Sequence, residues 1–292
     1  MRVVMNKNVF YILIFLMTFV CVACESNIPN DKLVFSVSDS TKVQFAPGNL
    51  QYVKSQDKWM FAANQWEMIG INNLTNPKYY LDIKENAWYS EDWNFADTID
   101  MFAWGTGNNP TLSTSQDSMY KEFTDWGTNE IGNYSANYWR TLSIKEWEYL
   151  LFNRKDAKLL YGMAQVNGIN GMILLPDGWE PPRKLDVLFI HGYYGSSSAA
   201  AYAWQQTFDL NQWKILERSG AIFLPASGFF SFFLDNGQGM LLALQETGIY
   251  WSSTRNSTKG LSICFDPGDI NSCFPDLSEK ASIRLVRDYI SY

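Results

Sequence analysis

The chain has 292 residues, 47% of them hydrophobic and only 18% charged, with a net charge of −7. Low charge combined with 16% aromatic residues, 12 Trp among them, excludes intrinsic disorder and fits a packed globular protein. The acidic balance also makes nucleic acid and anionic lipid surfaces unfavourable partners.

The N-terminus opens with Arg2 and Lys7, then the 12-residue apolar run Val9 to Val20, "VFYILIFLMTFV". That run is too short for a membrane span of about 20 residues and suits the core of a signal peptide. It ends in "CVAC", where Ala23 before Cys24 resembles the lipobox of bacterial lipoproteins. The resemblance implies cleavage before Cys24, lipidation of Cys24 and attachment to the membrane through that lipid. It further implies an outer-membrane lipoprotein of the cell envelope. Residues 1–23 are then the signal peptide, 24–32 a tether containing "ESNIPND", and 33–292 one domain. Without Arg2 and Lys7, 21 basic residues face 30 acidic ones, a net charge of −9.

Strand-like runs come next: "KLVFSV", "KVQFA", "NLQYVK" and "KWMFAA", the last two around Ser55-Gln56-Asp57. Residues 70–137 are rich in Asn, Gly, Thr, Trp and Tyr with weak periodicity. A long loop region of this kind needs packing by its own side chains, and its aromatics can supply it. "WRTLSIKEWEYLLFNR", residues 139–154, predicts a helix of about three turns. Ser143 and Glu146 make a capping box, Ile144, Trp147, Leu150 and Leu151 share one face, and Arg154 sits where positive charge suits the dipole.

"YGMAQVNG" and "INGMILLPDGW" predict a hairpin around Asn167-Gly168. "TFDLNQWKILERSG" predicts a second helix, capped by Asp209 with Gln212, faced by Leu210, Trp213 and Leu216, and stopped by Gly220. "AIFLPASGFFSFF" and "LLALQETGIYWSS" follow as strands, and "ASIRLVRDY" closes the chain as one. Two helices among many short strands define an α+β class.

Of the four cysteines, Cys21 goes with the signal peptide and Cys24 takes the lipid, which leaves Cys264 and Cys273 as a disulfide in an oxidising compartment. In "LSICFDPGDINSCF" a two-residue Gly268-Asp269 loop would pair 267 with 270, and by the same register 264 with 273. No metal or cofactor site is expected. The chain holds one histidine, His191 in "FIHGYYGSSS", no G-x-S-x-G, no P-loop and no G-x-G-x-x-G.

Four pieces, "WRTLSIKEWEYLL", "VNGINGMILLPDGW", "GIYWSST" (248–254) and "SIRLVRD" (282–288), together resemble a family of Bacteroidetes surface lipoproteins related to the Fibrobacter major paralogous domain. More distantly the chain resembles formylglycine-generating, sulfatase-modifying enzymes. The resemblance covers roughly residues 33–288. It implies a C-type-lectin-like fold: two helices on small twisted antiparallel sheets, long irregular loops and a terminal strand beside the first. The enzymes hold copper(I) in a C-x4-C cysteine pair. This chain lacks that spacing, since eight residues separate Cys264 and Cys273. The calcium motifs of lectins have only echoes in "FPD" (274–276) and "WNF" (93–95), and Asp266, Asp269 and Asp276 read as solvated turn acids.

The scaffold without the chemistry reads as a lipid-anchored binding module, an adhesin or receptor for a glycan or protein, with no catalytic activity. The alternatives are a divergent enzyme of the formylglycine-generating type and a fimbrial or structural assembly component. By resemblance the ligand faces the loops beside the cysteine hairpin, a stretch diversified in some relatives, where Asn256 and Asn271 lie. The expected contact residues are Tyr250, Trp251, Arg255, Asn256, Asp269 and Asn271. Strand alternation should turn one of Tyr250 and Trp251 into the core. The next place for a ligand is the Trp-rich stretch 86–139.

Overall fold

The computed structural model describes residues 33–68, 79–82, 87–90, 97–111, 122–185, 204, 206–232 and 239–290. Cys24, the tether, "WNF" and His191 lie outside these residues. The described chain is a mixed α+β protein in which two short helices accompany small, mostly antiparallel sheets. No helix among the described residues is long and apolar enough to cross a membrane.

Both helices begin where local sequence dictates. Ser143 caps Ile144–Glu148, with its hydroxyl accepting from the Glu146 N–H and the Glu146 carboxylate accepting from the Ser143 N–H. The helix continues as a wider π-helical stretch, Tyr149–Asn153, so the expected length is reached with a change of pitch. Arg154 does not serve the helix end as a solvated cation. It is buried and donates to the carbonyls of Leu160 and Leu175 and to Asp177 at 3.1 Å. Burial pulls its pKa down to about 10, against the favourable pull of Asp177. Asp209 caps Leu210–Arg218 with the same reciprocal box through Gln212, and Gly220 follows with a φ of +93°.

The hairpin of Tyr161–Val166 and Ile169–Leu174 turns at Asn167-Gly168, both with positive φ, as a two-residue hairpin turn requires. It is extended by Ile222–Pro225. Alternation along these strands feeds two cores. Tyr161, Met163, Met172 and Leu174 pack with the first helix, whereas Ala164, Val166, Ile173 and Phe223 pack with Trp213 and Leu216 of the second.

A third core gathers Trp104, Trp126 and Trp139 of the irregular regions with Trp59 and Trp251 of the strands. Long loops persist in a compact protein because Trp side chains drawn from four separate stretches fill one interior. The strand Gly248–Asn256 and its partner Lys259–Phe265 lie between two of these cores. At the other end of the chain, Val286–Asp288 returns to pair antiparallel with Lys42–Phe45, which in turn pairs with Phe35–Ser36.

The cysteine hairpin departs from the expected register. Cys264 stands opposite Asn271, and Cys273 opposite Ser262. The turn is four residues long because Asp266 organises it. Its carboxylate accepts from the N–H groups of Gly268 and Asp269, its own N–H bonds to the Asp269 carbonyl, and Pro267 takes the first central position. The two cysteines are therefore diagonal neighbours. Their Cα atoms are 6.0 Å apart, within disulfide reach.

Candidate functional site

One carboxylate closes a loop from which an exposed aromatic cluster rises. Asp125 accepts from the Gly127 N–H at 2.9 Å and from the Thr141 N–H and hydroxyl at 3.0 and 2.9 Å, tying together two ends that lie 16 residues apart. Gly127 admits the returning chain, since a Cβ there would sit 1.8 Å from the Trp139 carbonyl oxygen. Trp126, Ile131 and Trp139 anchor the loop in the core. With its base fixed, the loop presents residues 132–138 as an exposed rim.

On that rim Tyr134 and Tyr138 stack, with centroids 5.0 Å apart and planes at 22°. Both meet Trp139 edge-on, at 5.1 and 5.3 Å. They remain 39% and 36% exposed. The loop then joins the terminal strand. Arg140 and Val286 exchange backbone hydrogen bonds, and the Arg140 guanidinium holds Glu146 and Asp288 at 2.7 Å each. Burial alone would lower the Arg140 pKa, but its bonds to the two carboxylates raise it above the usual range. Glu146 thus serves a helix cap and an ion pair at once.

Arg287 is held differently. It donates to the Gln44 side-chain oxygen through Nε at 3.0 Å and through Nη2 at 2.5 Å, and through Nη1 to the Tyr138 hydroxyl. Its guanidinium carbon lies 5.3 Å from the Tyr138 ring centroid. Two clefts, of about 320 and 720 Å³, meet here and share Gln44, Tyr138, Trp139 and Arg287. The smaller runs past Tyr134 towards Gln65 and Glu217; the larger runs past Asn137 and Asp288 to Ile290, which is 67% exposed. Three of the seven exposed large apolar side chains among the described residues therefore border one groove.

The contact residues expected from the sequence do not converge. Tyr250 and Trp251 are both fully buried, which corrects the expectation that one would face a ligand. Alternation does send them to opposite faces, but both faces of the sheet are covered by core. The Tyr250 hydroxyl donates to the Pro225 carbonyl at 3.0 Å and accepts from Asn49 at 3.2 Å. The Trp251 indole donates to the Phe102 carbonyl at 2.7 Å. Its ring passes over Gly260, where a Cβ would come within 2.5 Å.

Arg255 and Asn256 are exposed at one end of the strand Lys259–Phe265, whereas Asp269 and Asn271 lie at the other end. Arg255 stands opposite Gly260 and Asn271 opposite Cys264, so at about 3.3 Å per residue they lie about 13 Å apart along that strand, with Asp269 further away still. They cannot form one contact point. Asp269 is already engaged with its own turn, accepting from the Ile270 N–H. Asp276 pairs with Lys259. Among the described residues no group of three His, Cys, Asp or Glu is placed to hold a metal.

The residues missed by the sequence reading are Arg287, Gln44, Tyr134 and Tyr138. A signal existed for the tyrosines, since the aromatic stretch 86–139 contains both. None existed for Arg287, which belongs to a strand-like closing run. Compared with protein families, with curated proteins and with solved structures, the chain matches none of them.

Proposed function

We propose that this chain is a lipid-anchored binding module of the cell envelope, held in the outer membrane through Cys24, with a C-type-lectin-like fold and no catalytic role. The observation that carries the binding reading is the groove between the 132–140 loop and the terminal strand. Its aromatic rim is exposed, yet its base is fixed by Asp125, Trp139 and the Arg140–Glu146–Asp288 ion pairs. Exposed apolar area on a preorganised frame is what a recognition surface needs, because little ordering cost opposes binding. Tyr supplies contact area, and Asn and Arg supply hydrogen bonds, as in antibody loops.

Anchoring follows from the "VAC" that closes the apolar run, and an acidic envelope protein favours glycan or protein ligands over anionic lipid. The test has two arms on the full chain purified in detergent. Radiolabelled fatty acid should enter the wild type and not Cys24→Ala. A printed panel of glycans and envelope proteins should retain the wild type and lose it when Tyr134 and Tyr138 are both changed to Ala. Equal labelling of the two chains refutes the anchor, and retention of nothing on the panel refutes the binding module.

A further inference from the structure

Resting on the reading of the groove as a binding site, we propose that it takes a glycan bearing a single carboxylate, with the acid group seated on Arg287. Arg140, beside it, is neutralised by Glu146 and Asp288, whereas Arg287 has no carboxylate partner among the described residues. Its contacts to Gln44 and Tyr138 are with neutral groups. They account for the Nε–H and one N–H on each terminal nitrogen, leaving one N–H on each terminal nitrogen without a partner among the described residues. A carboxylate accepts two such donors side by side.

The cation is also positioned. Gln44 lies on the paired strand Lys42–Phe45, opposite Arg287 in register, so backbone pairing fixes one contact. Tyr138 on the pinned loop fixes the other. A guanidinium held from two directions loses less freedom when it binds an acid than a solvated one does.

The surroundings limit how many acids the ligand carries. Glu217 borders the smaller cleft and Asp288 the larger. The whole chain is acidic, with a net charge of −7. A polyanion would meet repulsion on both sides of Arg287, whereas one acid flanked by uncharged groups would not. Asn137 and the hydroxyls of Tyr134 and Tyr138 offer polar contacts that suit the hydroxyls of neutral sugars, while Gln44 is held by Arg287 and Gln65 by Glu217, Ala221 and Phe223. The exposed Tyr134–Tyr138 pair adds flat apolar surface for sugar C–H faces. The cleft volumes lie in the range that holds a small ligand.

The test uses the full chain in detergent and an array of sialyl- and uronyl-terminated oligosaccharides, each printed beside its neutral parent. At least one acidic member should be retained tenfold or more over its parent. For that member, methyl esterification of the carboxylate should remove the advantage with the protein unchanged, so no folding question arises. Arg287→Gln, checked for an unaltered thermal melt, should lose the same tenfold, while Arg255→Gln, at the far hairpin, should lose nothing. Neutral parents bound as tightly as their acidic partners would overturn the proposal and leave the binding module standing. So would retention unaffected by the ester or by Arg287→Gln, or competition by a peptide C-terminal carboxylate in place of the glycan. An array that retains no acidic glycan overturns it as well, whereas only a failure to retain any glycan or protein reaches the broader reading.

Discussion

Replacing Tyr250 with Phe removes one oxygen from the interior and little else. The ring, stacked on Phe265 at a centroid distance of 6.2 Å, stays in place. What is lost is a hydroxyl that donates to the Pro225 carbonyl and accepts from the Asn49 amide. Both partners are buried, and the Asn49 side-chain oxygen already has no partner among the described residues. Burial holds the phenol pKa far above its ordinary value, so the group removed at neutral pH is an uncharged donor. A net hydrogen bond contributes about 1 kcal/mol, and stranding a buried partner costs about 1–3 kcal/mol. The expected loss is about 2 kcal/mol, or about 4–8 °C in Tm for a chain of this size. Urea unfolding of wild type and Tyr250→Phe, followed by circular dichroism with the disulfide intact, measures it. If Tyr250 faced a ligand instead, the substitution would change binding and leave stability within about 0.5 kcal/mol of wild type. That result would refute the buried assignment.

Two further outcomes are expected. Changing both Cys264 and Cys273 to Ser should cost about 2–3 kcal/mol, the loop-entropy value for a closed loop of about ten residues, and mass mapping of the non-reduced wild type should find a single cross-linked peptide; two free thiols would refute the bridge. Tyr52, whose hydroxyl bonds Asp57 at 2.6 Å, has its pKa pushed up to about 12 by that bond first and by burial second. The folded state thus holds this proton more tightly than the unfolded chain, whose Tyr titrates near 10. The stabilisation is complete below pH 10 and is lost as pH rises towards about 12. Tyr52→Phe should flatten the fall in Tm over that window, and an unchanged slope would contradict the assignment.

Local chemistry was legible in the sequence by itself. The two capping boxes, the Asn167-Gly168 hairpin turn and the stop at Gly220 each depend on residues within about four positions of one another, so hydrogen bonding and backbone sterics determine them before any packing. The mixed α+β class follows from their sum. The tertiary structure alone decided what covers each face. Alternation separates Tyr250 from Trp251 but cannot say that both sides of their strand are buried. The turn at 266–269 depended on a side chain, Asp266, that binds its own backbone, and one reordered turn moved Cys264 opposite Asn271. The groove lay furthest from view. Gln44, Tyr138 and Arg287 are brought together by strand pairing and by a loop tied at Asp125, across separations of 149 and 243 residues along the chain. No short-range pattern encodes a contact of that span, because the free energy that forms it is the burial of the Trp-rich core beneath.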